Sequence, residues 1–237
     1  MRSTERSVNE LRSVNITPHY LHHLPSSVLM EMGNTRVLCT AIIEDKVPLF
    51  LKNTDSGWLT AEYSMIPNST PNRINRENGV VRHGRHIEIQ RLIGRSLRTA
   101  IDLKNLGNKT IQIDCDVLEA DGGTRTASIT GSYVAVCLAL QSHHLPHSLV
   151  KRQIASISTG ILKNDVLLDL DFLEDSQADV DLNLVMDDTD KFIEIQGTGE
   201  KRSFSLIELN TMLQYGTKGI HELFDYQNNV LAHFPWE

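Results

Sequence analysis

Features that would place this chain outside the cell or in a membrane are scarce in its sequence. It has three cysteines, Cys39, Cys115 and Cys137, an odd number without a Cys-x-x-Cys pair. This usage is typical of reduced intracellular thiols and argues against a disulfide framework. The N-terminal segment MRSTERSVNELR lacks the apolar core of a signal peptide. No apolar run reaches the roughly 18 residues of a membrane span. We therefore expect a cytoplasmic protein without a membrane partner.

An overall positive charge is also missing. The formal net charge of −7 argues against a generally basic nucleic-acid-binding protein, but it allows a local basic patch. Hydrophobic residues make up 40% of the chain, which is typical of a globular protein. At 237 residues the chain can bury the core of one large domain or two small ones.

Three ligand motifs are incomplete in this sequence. The segment 197–201, GTGEK, lacks the GxxxxGK(S/T) spacing, which excludes a P-loop NTPase. The acidic segment 166–185 lacks the central glycine and the final glutamate of an EF-hand. His143, His144 and His147 have no acidic or cysteine partner at metal-ligand spacing, so a polar helix end is favoured over a metal site.

The most informative stretch combines a strand, a glycine loop and an apolar helix. Apolar and polar residues alternate over 111–116, which predicts a half-buried strand, and residues 129–140 predict a buried helix. The loop between them reads DGGTRT, residues 121–126. Its glycines permit positive φ and close approach to a ligand, and the helix start offers free N–H groups. Arg125 adds a fork suited to two anionic oxygens. The loop is a candidate phosphate site; the alternative is a Gly-Gly turn with a threonine N-cap and a surface arginine.

A basic loop and a long helix precede this stretch. Prolines and glycines break any regular element over residues 67–87, where a long arginine-bearing loop is more often functional than accidental. Pairing of its arginines with surface carboxylates is the alternative. Apolar spacing predicts a helix from Ile87 to Leu106, ended by Gly107, with Arg85 just ahead of its start. Arg85 and Arg125 would then converge on one phosphate. The loop arginines are Arg73, Arg76, Arg82 and Arg85.

An acidic hairpin is predicted in the second half, with arms at residues 166–172 and 178–185. In the second arm, alternation places Asp181 on the face opposite the core. Asp175 lies in the connection between the arms. Carboxylates that face an arginine site have two chemical uses, binding Mg²⁺ or supplying a general acid. A solvated acidic hairpin is the alternative.

Further elements are predicted from the remaining patterns. Residues 28–32 and 36–43 form a hairpin around Gly33, and its second arm is apolar enough for a central strand. Residues 59–66, 154–162 and 192–196 are further strands, and residues 47–58 are irregular. A capping box, Ser205 to Glu208, opens the final helices, which run to about Gln227 and which Gly216 and Gly219 break or kink.

Four stretches, taken in this order and spacing, resemble the ribonuclease PH family of phosphorolytic 3′ exoribonucleases (tRNA nucleotidyltransferases). They are Gly57–Tyr63, Glu88–Arg98, Asp114–Gly131 and Ile193–Thr198. The resemblance covers nearly the whole chain. It implies a single domain over residues 1–237, with a first half at 10–141 and a second half at 154–227. It also implies an α+β fold of the ribosomal protein S5 domain 2 type, in which mixed sheets pack with helices.

The resemblance further implies a reaction. Inorganic phosphate, as co-substrate, attacks the 3′-terminal phosphodiester of RNA, releases a nucleoside diphosphate and leaves the RNA one nucleotide shorter. The reaction is reversible, its expected substrate is the 3′ end of precursor tRNA, and Mg²⁺ is the expected cofactor. The expected assembly is a homo-hexameric ring built as a trimer of dimers.

By matching position, the resemblance also assigns roles to individual residues. Asp181 is favoured over Asp175 as the acid that protonates the departing 3′ oxygen. The implied phosphate-binding residues are Arg85, Gly123, Thr124 and Arg125; the implied catalytic carboxylates and metal ligands are Asp175 and Asp181; and the implied RNA-binding residues are Arg73 and Arg76.

Departures from the family pattern lie beside these residues. His86 stands where the family usually has threonine, and Asn68 where it usually has arginine. Residues 4–6, TER, replace Asp-Gly-Arg, and residues 26–27, SS, replace Gly-Ser. These differences concern RNA binding and ring contacts more than the chemistry.

Two other functions are compatible with such a chain. A non-catalytic, RNA-binding ring subunit would keep the fold but would have little need for all six implied phosphate-binding and catalytic residues. A hydrolytic nuclease would use the acidic hairpin for two metal ions, but it would leave the arginine site without a purpose. The joint presence of the six residues favours the phosphorolytic enzyme.

Overall fold

The first half of the chain builds a five-stranded mixed sheet. The computed structural model describes residues 2, 5–76 and 84–236. The strands of this sheet are β1 (Val14–Pro18), β2 (Ser27–Met32), β3 (Thr35–Glu44), β4 (Trp58–Met65) and β5 (Thr110–Glu119). They lie in the order β1-β2-β3-β5-β4, with β4 and β5 parallel and the other neighbours antiparallel.

The predicted hairpin is present as β2 and β3, which meet at Gly33. Gly33 has a φ of +57°, a value that glycine adopts without strain. The strand β3 lies between β2 and β5, so it is the central strand that its apolar sequence predicted. Residues 45–57 contain one short 3₁₀ turn, Leu49–Leu51, and are otherwise irregular, as expected.

Two helices cover this sheet, α1 (Gly84–Ala100) and α2 (Thr124–Ser142). The prediction of a buried helix after the glycine loop is confirmed, because every residue of α2 from Thr126 to Leu140 is buried. The predicted bounds of the earlier helix were wrong at both ends. Arg85 lies in the first turn of α1 instead of ahead of it.

Tertiary hydrogen bonds explain why α1 ends at Ala100 and not at Leu106. The carbonyl of Ala100 accepts the N–H of Lys151 at 2.7 Å, and Asp102 N–H donates to the carbonyl of Leu149 at 2.7 Å. Backbone groups that would continue the helix are therefore paired with residues 149–151.

The second half builds a four-stranded antiparallel sheet. Its strands are β6 (Ile154–Leu162), β7 (Asp165–Leu168), β8 (Val180–Asp187) and β9 (Phe192–Thr198), in the order β7-β6-β8-β9. The helix α3 (Phe172–Gln177) lies between β7 and β8 in sequence.

The predicted acidic hairpin was wrong in its pairing. The two predicted arms, β7 and β8, are not neighbours, because β6 lies between them and pairs with both. All nine residues of β6 are buried, so this strand needs a partner on each side. The connection that carries Asp175 is the helix α3, which leads the chain across β6 to β8.

The chain ends in one long helix, α4 (Leu206–Leu231), opened by the predicted capping box of Ser205 and Glu208. Gly216 and Gly219 were predicted to break or kink the final helices; the break is wrong, because α4 continues through both glycines. A Cβ at Gly216 would lie 2.1 Å from Leu184 Cδ1, and a Cβ at Gly219 would lie 2.9 Å from Leu168 Cδ1. The two glycines let α4 lie close to the second sheet.

The helix α2 links the two halves of the fold, because it packs against β2 and β3 on one side and β6 on the other. The result is the α+β arrangement of mixed sheets and helices that was predicted. Cys39, Cys115 and Cys137 are free and buried, as reduced thiols. Within the described part of the chain, no helix combines the length and apolarity needed to cross a bilayer.

Candidate active site

A cavity of about 180 Å³ lies between the two halves, and it brings together residues from α1, α2, α3 and β8. All six residues predicted for phosphate binding and catalysis line it: Arg85, Gly123, Thr124, Arg125, Asp175 and Asp181. A larger cavity of about 590 Å³, lined by His19, Gln141 and Trp236 among others, has no arginine, lysine or carboxylate among the described residues of its wall. The smaller cavity is therefore the candidate for anion chemistry.

The glycine loop has the geometry that an anion site needs. Gly122 and Gly123 have φ values of +78° and +67°, which residues with a side chain rarely adopt. A Cβ at Gly122 would lie 2.5 Å from the Leu170 carbonyl oxygen. The N-cap of α2 is Gly123, which has no side chain that could cap the helix. The alternative of a threonine N-cap was therefore wrong. The positive end of the α2 dipole therefore opens onto the cavity.

Thr124, the first residue of α2, is fixed by a residue that the sequence analysis did not assign. Its Oγ1 lies 2.8 Å from the hydroxyl of Tyr63 on β4. Burial raises the pKa of Tyr63, so this hydroxyl stays neutral and can donate. The ring of Tyr63 meets His86 edge-on at 5.4 Å. Tyr63 belongs to one of the four stretches that resemble the family, but only the fold shows its contact with Thr124.

Arg125 is held at the cavity by residues from α1 and β9. Its Nη1 donates to Gln196 Oε1 at 2.9 Å and lies 3.6 Å from Glu88 Oε1. Gln196 Nε2 in turn donates to Glu88 Oε1 at 2.7 Å. Among the described residues, these contacts engage Nη1 alone, so the other N–H groups of the guanidinium can bind an anion. Arg85 lines the same cavity from the first turn of α1 and is exposed.

The two carboxylates lie on separate elements, Asp175 on α3 and Asp181 on β8. Burial raises the pKa of Asp175, and the nearby Arg85 and Arg125 oppose this rise. Burial also raises the pKa of Asp181, and the negative charges of Asp175 and Glu200 add to it. Asp181 Oδ1 is buried and has no hydrogen-bond partner among the described residues. A buried acceptor of this kind is expected to find a partner in a proton, a metal ion or a substrate.

Arg73 and Arg76 are not brought into the cavity. Both are exposed on the segment 67–76, although Thr70 of the same segment lines the cavity wall. Their assignment to RNA binding stays a prediction. Arg82 lies outside the described residues.

The carboxylates fit a Mg²⁺ ion by their chemistry. Mg²⁺ prefers oxygen ligands and is often held by one or two carboxylates together with substrate phosphates. Asp181 Oδ1 is buried without a hydrogen-bond partner among the described residues, so it could accept a metal ion. Over residues 5–76 and 84–236 there is no group of three or more His, Cys, Asp or Glu side chains that would hold a metal alone.

The chain matches two models of the 3′ exoribonuclease family, domain 1 over residues 10–146 and domain 2 over residues 152–219. It is 49% identical over 238 residues to Ribonuclease PH of Bacillus cereus (strain G9842). This alignment covers 98% of this chain and 97% of that protein.

Solved structures share the fold. Rice (Oryza sativa) Rrp46 superposes with a TM-score of 0.78 at 18% identity, covering 97% of this chain and 100% of that one. A structure described as the Archaeoglobus fulgidus exosome with RNA bound to the active site has a chain with a TM-score of 0.78 at 21% identity, covering 93% and 90%. An archaeal exosome core chain has a TM-score of 0.74 at 20% identity, covering 94% and 88%.

Proposed function

The chain belongs to the 3′ exoribonuclease family, as its sequence resemblance predicted, and we propose that it is a phosphorolytic 3′-5′ exoribonuclease of the ribonuclease PH type. It shortens RNA from the 3′ end with inorganic phosphate and releases nucleoside diphosphates. The reverse reaction adds nucleotides. The observation that carries this proposal is the single cavity in which two arginines and a helix start face two carboxylates.

The first step uses the positive half of the cavity. Arg85, Arg125, Thr124 and the N-terminus of α2 bind inorganic phosphate and offset its charge, which would otherwise repel the phosphodiester. An oxygen of the bound phosphate attacks the phosphorus of the terminal phosphodiester. No side-chain nucleophile is required, since the co-substrate supplies the attacking oxygen.

The second step uses the acidic half. The bond between the phosphorus and the 3′ oxygen of the penultimate nucleotide breaks, and that oxygen takes a proton from Asp181. The products are a nucleoside diphosphate and an RNA with a new 3′ hydroxyl. Burial and the neighbouring Asp175 keep the pKa of Asp181 raised, which suits a proton donor.

Asp175, together with Asp181 when the latter is ionised, would hold Mg²⁺. The ion would offset negative charge on the phosphate and on the phosphodiester.

The proposed substrate is the 3′ end of precursor tRNA, and the proposed place of action is the cytoplasm. Exposed Arg73 and Arg76 would contact the RNA backbone beyond the cavity. The proposed assembly is a homo-hexamer, a trimer of dimers, in which the basic segments of several subunits surround one RNA. The likeness of the fold to chains of exosome structures supports a ring.

The test is RNA with a labelled, unpaired 3′ end, incubated with protein and Mg²⁺, with and without inorganic phosphate. Phosphate-dependent shortening with release of nucleoside diphosphates is expected. Release of monophosphates without phosphate would show hydrolysis, and a folded ring that leaves the RNA intact would show a non-catalytic subunit. Both results contradict the proposal.

A variant pair makes the test specific to the cavity. Arg125→Met is expected to lower kcat/KM for phosphate by about 100-fold, because it removes a fixed positive charge from the anion site. Arg95→Met is the matched control, since Arg95 lies on α1 and is paired with Glu194 outside the cavity. An equal loss in both variants would contradict the assignment of Arg125.

A further inference from the structure

Arg12 is a buried arginine paired with a buried aspartate from the other half of the chain. Its side chain donates through Nη2 to Asp169 Oδ1 at 2.7 Å and through Nε to Asp169 Oδ2 at 3.0 Å. Its backbone N–H donates to Asp169 Oδ2 at 2.8 Å. Burial disfavours the charged guanidinium, but Asp169 outweighs this effect and raises the pKa of Arg12, so the guanidinium stays charged. The two residues are 157 positions apart in sequence.

The same guanidinium also reaches the glycine loop. Nη1 of Arg12 donates to the carbonyl oxygen of Asp121 at 2.5 Å, and Nη2 lies 3.4 Å from the carbonyl oxygen of Gly122. The hydroxyl of Thr35 donates to the Gly122 carbonyl at 2.6 Å and accepts the N–H of Asp121 at 3.0 Å. The carbonyl oxygens just ahead of α2 are therefore engaged by donors.

This engagement matters for an anion site. A carbonyl oxygen is the negative end of a peptide dipole and repels phosphate, whereas the N–H groups at a helix start attract it. A loop of two glycines has many accessible conformations. By holding two successive carbonyls, Arg12 selects the conformation in which the N-terminus of α2 faces the cavity.

Arg12 also ties this loop to the segment that carries Asp175. Asp169 follows β7 and precedes α3, the helix of Asp175. A second link runs in parallel, because Asp121 Oδ1 accepts the N–H of Phe172 at 3.3 Å. The guanidinium of Arg12 thus bridges the phosphate side and the carboxylate side of one cavity.

We infer that Arg12, held by Asp169, is a positioning residue that sets the glycine loop for phosphate binding. This inference rests on the proposed function of the cavity and adds a residue that does not line it. Arg12 acts through Asp121 and Gly122 and touches no reacting atom. Its loss is therefore expected to weaken phosphate binding more than RNA binding.

Arg6 provides a matched control. It ion-pairs with the same carboxylate, with Nη1 3.6 Å from Asp169 Oδ2, and it donates to the carbonyls of Glu10 and Asp169. Arg6 and Arg12 thus share Asp169, while the loop carbonyls are held by Arg12. A general effect of weakening the buried charge cluster should appear in variants of both residues.

The experiment measures kcat, KM for phosphate and KM for RNA in wild type, Arg12→Lys, Arg12→Met and Arg6→Met. Arg12→Lys keeps a positive charge beside Asp169 but has one nitrogen instead of a fork, so it cannot hold the carboxylate and the loop together. The expected result is a KM for phosphate about tenfold higher in Arg12→Lys, with KM for RNA within about twofold of wild type. A larger rise is expected in Arg12→Met, and Arg6→Met should keep the phosphate KM of wild type.

Circular dichroism and thermal unfolding establish that each variant is folded. If Arg12→Met does not fold, Arg12→Lys alone decides. A folded Arg12→Lys variant with the wild-type KM for phosphate, or an equal rise in Arg6→Met, would overturn the inference, because Arg12 would then act only through stability.

A binding measurement separates this inference from the proposed function. Inorganic phosphate that binds the folded protein raises its unfolding temperature. If wild type does not shorten RNA, the proposed function fails. Stabilisation of wild type by phosphate, lost in Arg12→Lys but kept in Arg6→Met, would still support the role of Arg12. No stabilisation of wild type, or the same stabilisation in Arg12→Lys, would overturn it.

Discussion

The hydroxyl of Tyr63 lies 2.8 Å from Oγ1 of Thr124 and joins the strand β4 to the first residue of α2. This hydrogen bond fixes the rotamer of a hydroxyl at the wall of the candidate phosphate site. Because both residues are buried, a hydroxyl that loses this partner cannot readily form a hydrogen bond with water instead.

Removal of this hydrogen bond should weaken phosphate binding. Tyr63→Phe keeps the ring but leaves Thr124 free to rotate, and a lost hydrogen bond of about 1 kcal/mol corresponds to roughly a fivefold higher KM for phosphate. Steady-state kinetics at varied phosphate concentration provide the measurement. Tyr20→Phe, at an exposed tyrosine, is the control. An unchanged KM in Tyr63→Phe would show that Thr124 does not contribute through its hydroxyl.

The pH dependence of phosphorolysis should identify the proton donor. An acid donates only in its protonated form, so a rate that depends on Asp181 is highest below the raised pKa of this residue and falls as pH rises through it. Asp181→Asn should lower kcat by about 100-fold or more, and its residual rate should lack this alkaline fall. Retention of the same fall in Asp181→Asn would assign the proton to another group.

The same carboxylates should make stability depend on pH. Burial raises the pKa of both Asp175 and Asp181, so the folded protein binds more protons than the unfolded chain. Their contribution to the stability of the folded protein is favourable below the pKa of about 3.9 that they have in the unfolded chain. It is lost as pH rises through their raised pKa values in the folded protein. The double variant Asp175→Asn, Asp181→Asn should therefore unfold about 1–2 °C higher than wild type at pH 7.5, without phosphate or Mg²⁺; the rise is small because Asp175 is exposed and solvent screens its charge.

The comparison at low pH tests the cause. Near pH 4 the difference in unfolding temperature between the double variant and wild type should shrink, because a larger share of the wild-type carboxylates is then protonated in the folded protein. The control Asp188→Asn, at an exposed position, should unfold at the same temperature as wild type at both pH values. A gain that persists at low pH would point to a change in packing instead of a relieved charge.

Close packing of α4 predicts a cost for adding one methyl group. In Gly216→Ala the new Cβ would lie 2.1 Å from Leu184 Cδ1, so the helix or the strand must move. We expect a loss of about 1–3 kcal/mol in the free energy of unfolding, although alanine has the higher helix propensity. Gln214→Ala, at an exposed position of the same helix, should change stability by less than about 0.5 kcal/mol. Unfolding in urea would measure both. A Gly216→Ala variant as stable as wild type would contradict the packing argument.

Much of the candidate site was visible in the sequence because its signals are local. The glycines at 122 and 123, the arginine that follows and the helix after them form one continuous stretch, and each part acts on its neighbours in sequence. Asp175 and Asp181, which both line the cavity, were also predicted, from the family resemblance. Their surrounding elements were not, because the pairing of a strand depends on distant residues.

The contacts of Arg12 and Tyr63 had no comparable signal. An arginine in a polar N-terminal segment predicts a solvated side chain, and only the approach of Asp169 makes its burial favourable. Tyr63 belongs to a strand of ordinary alternating pattern, and its hydroxyl finds Thr124 only when β4 lies beside β5.

The sequence by itself determined the local elements of this protein: the alternation of its strands, the apolar helix α2, the capping box of α4 and the glycine loop. These follow from propensities and hydrogen bonds that span a few residues. Only the tertiary structure decided that β6 separates β7 from β8, that α4 continues through Gly216 and that Arg12 reaches the glycine loop. Each of these depends on burial or charge pairing between residues far apart in the chain, where local pattern carries no information.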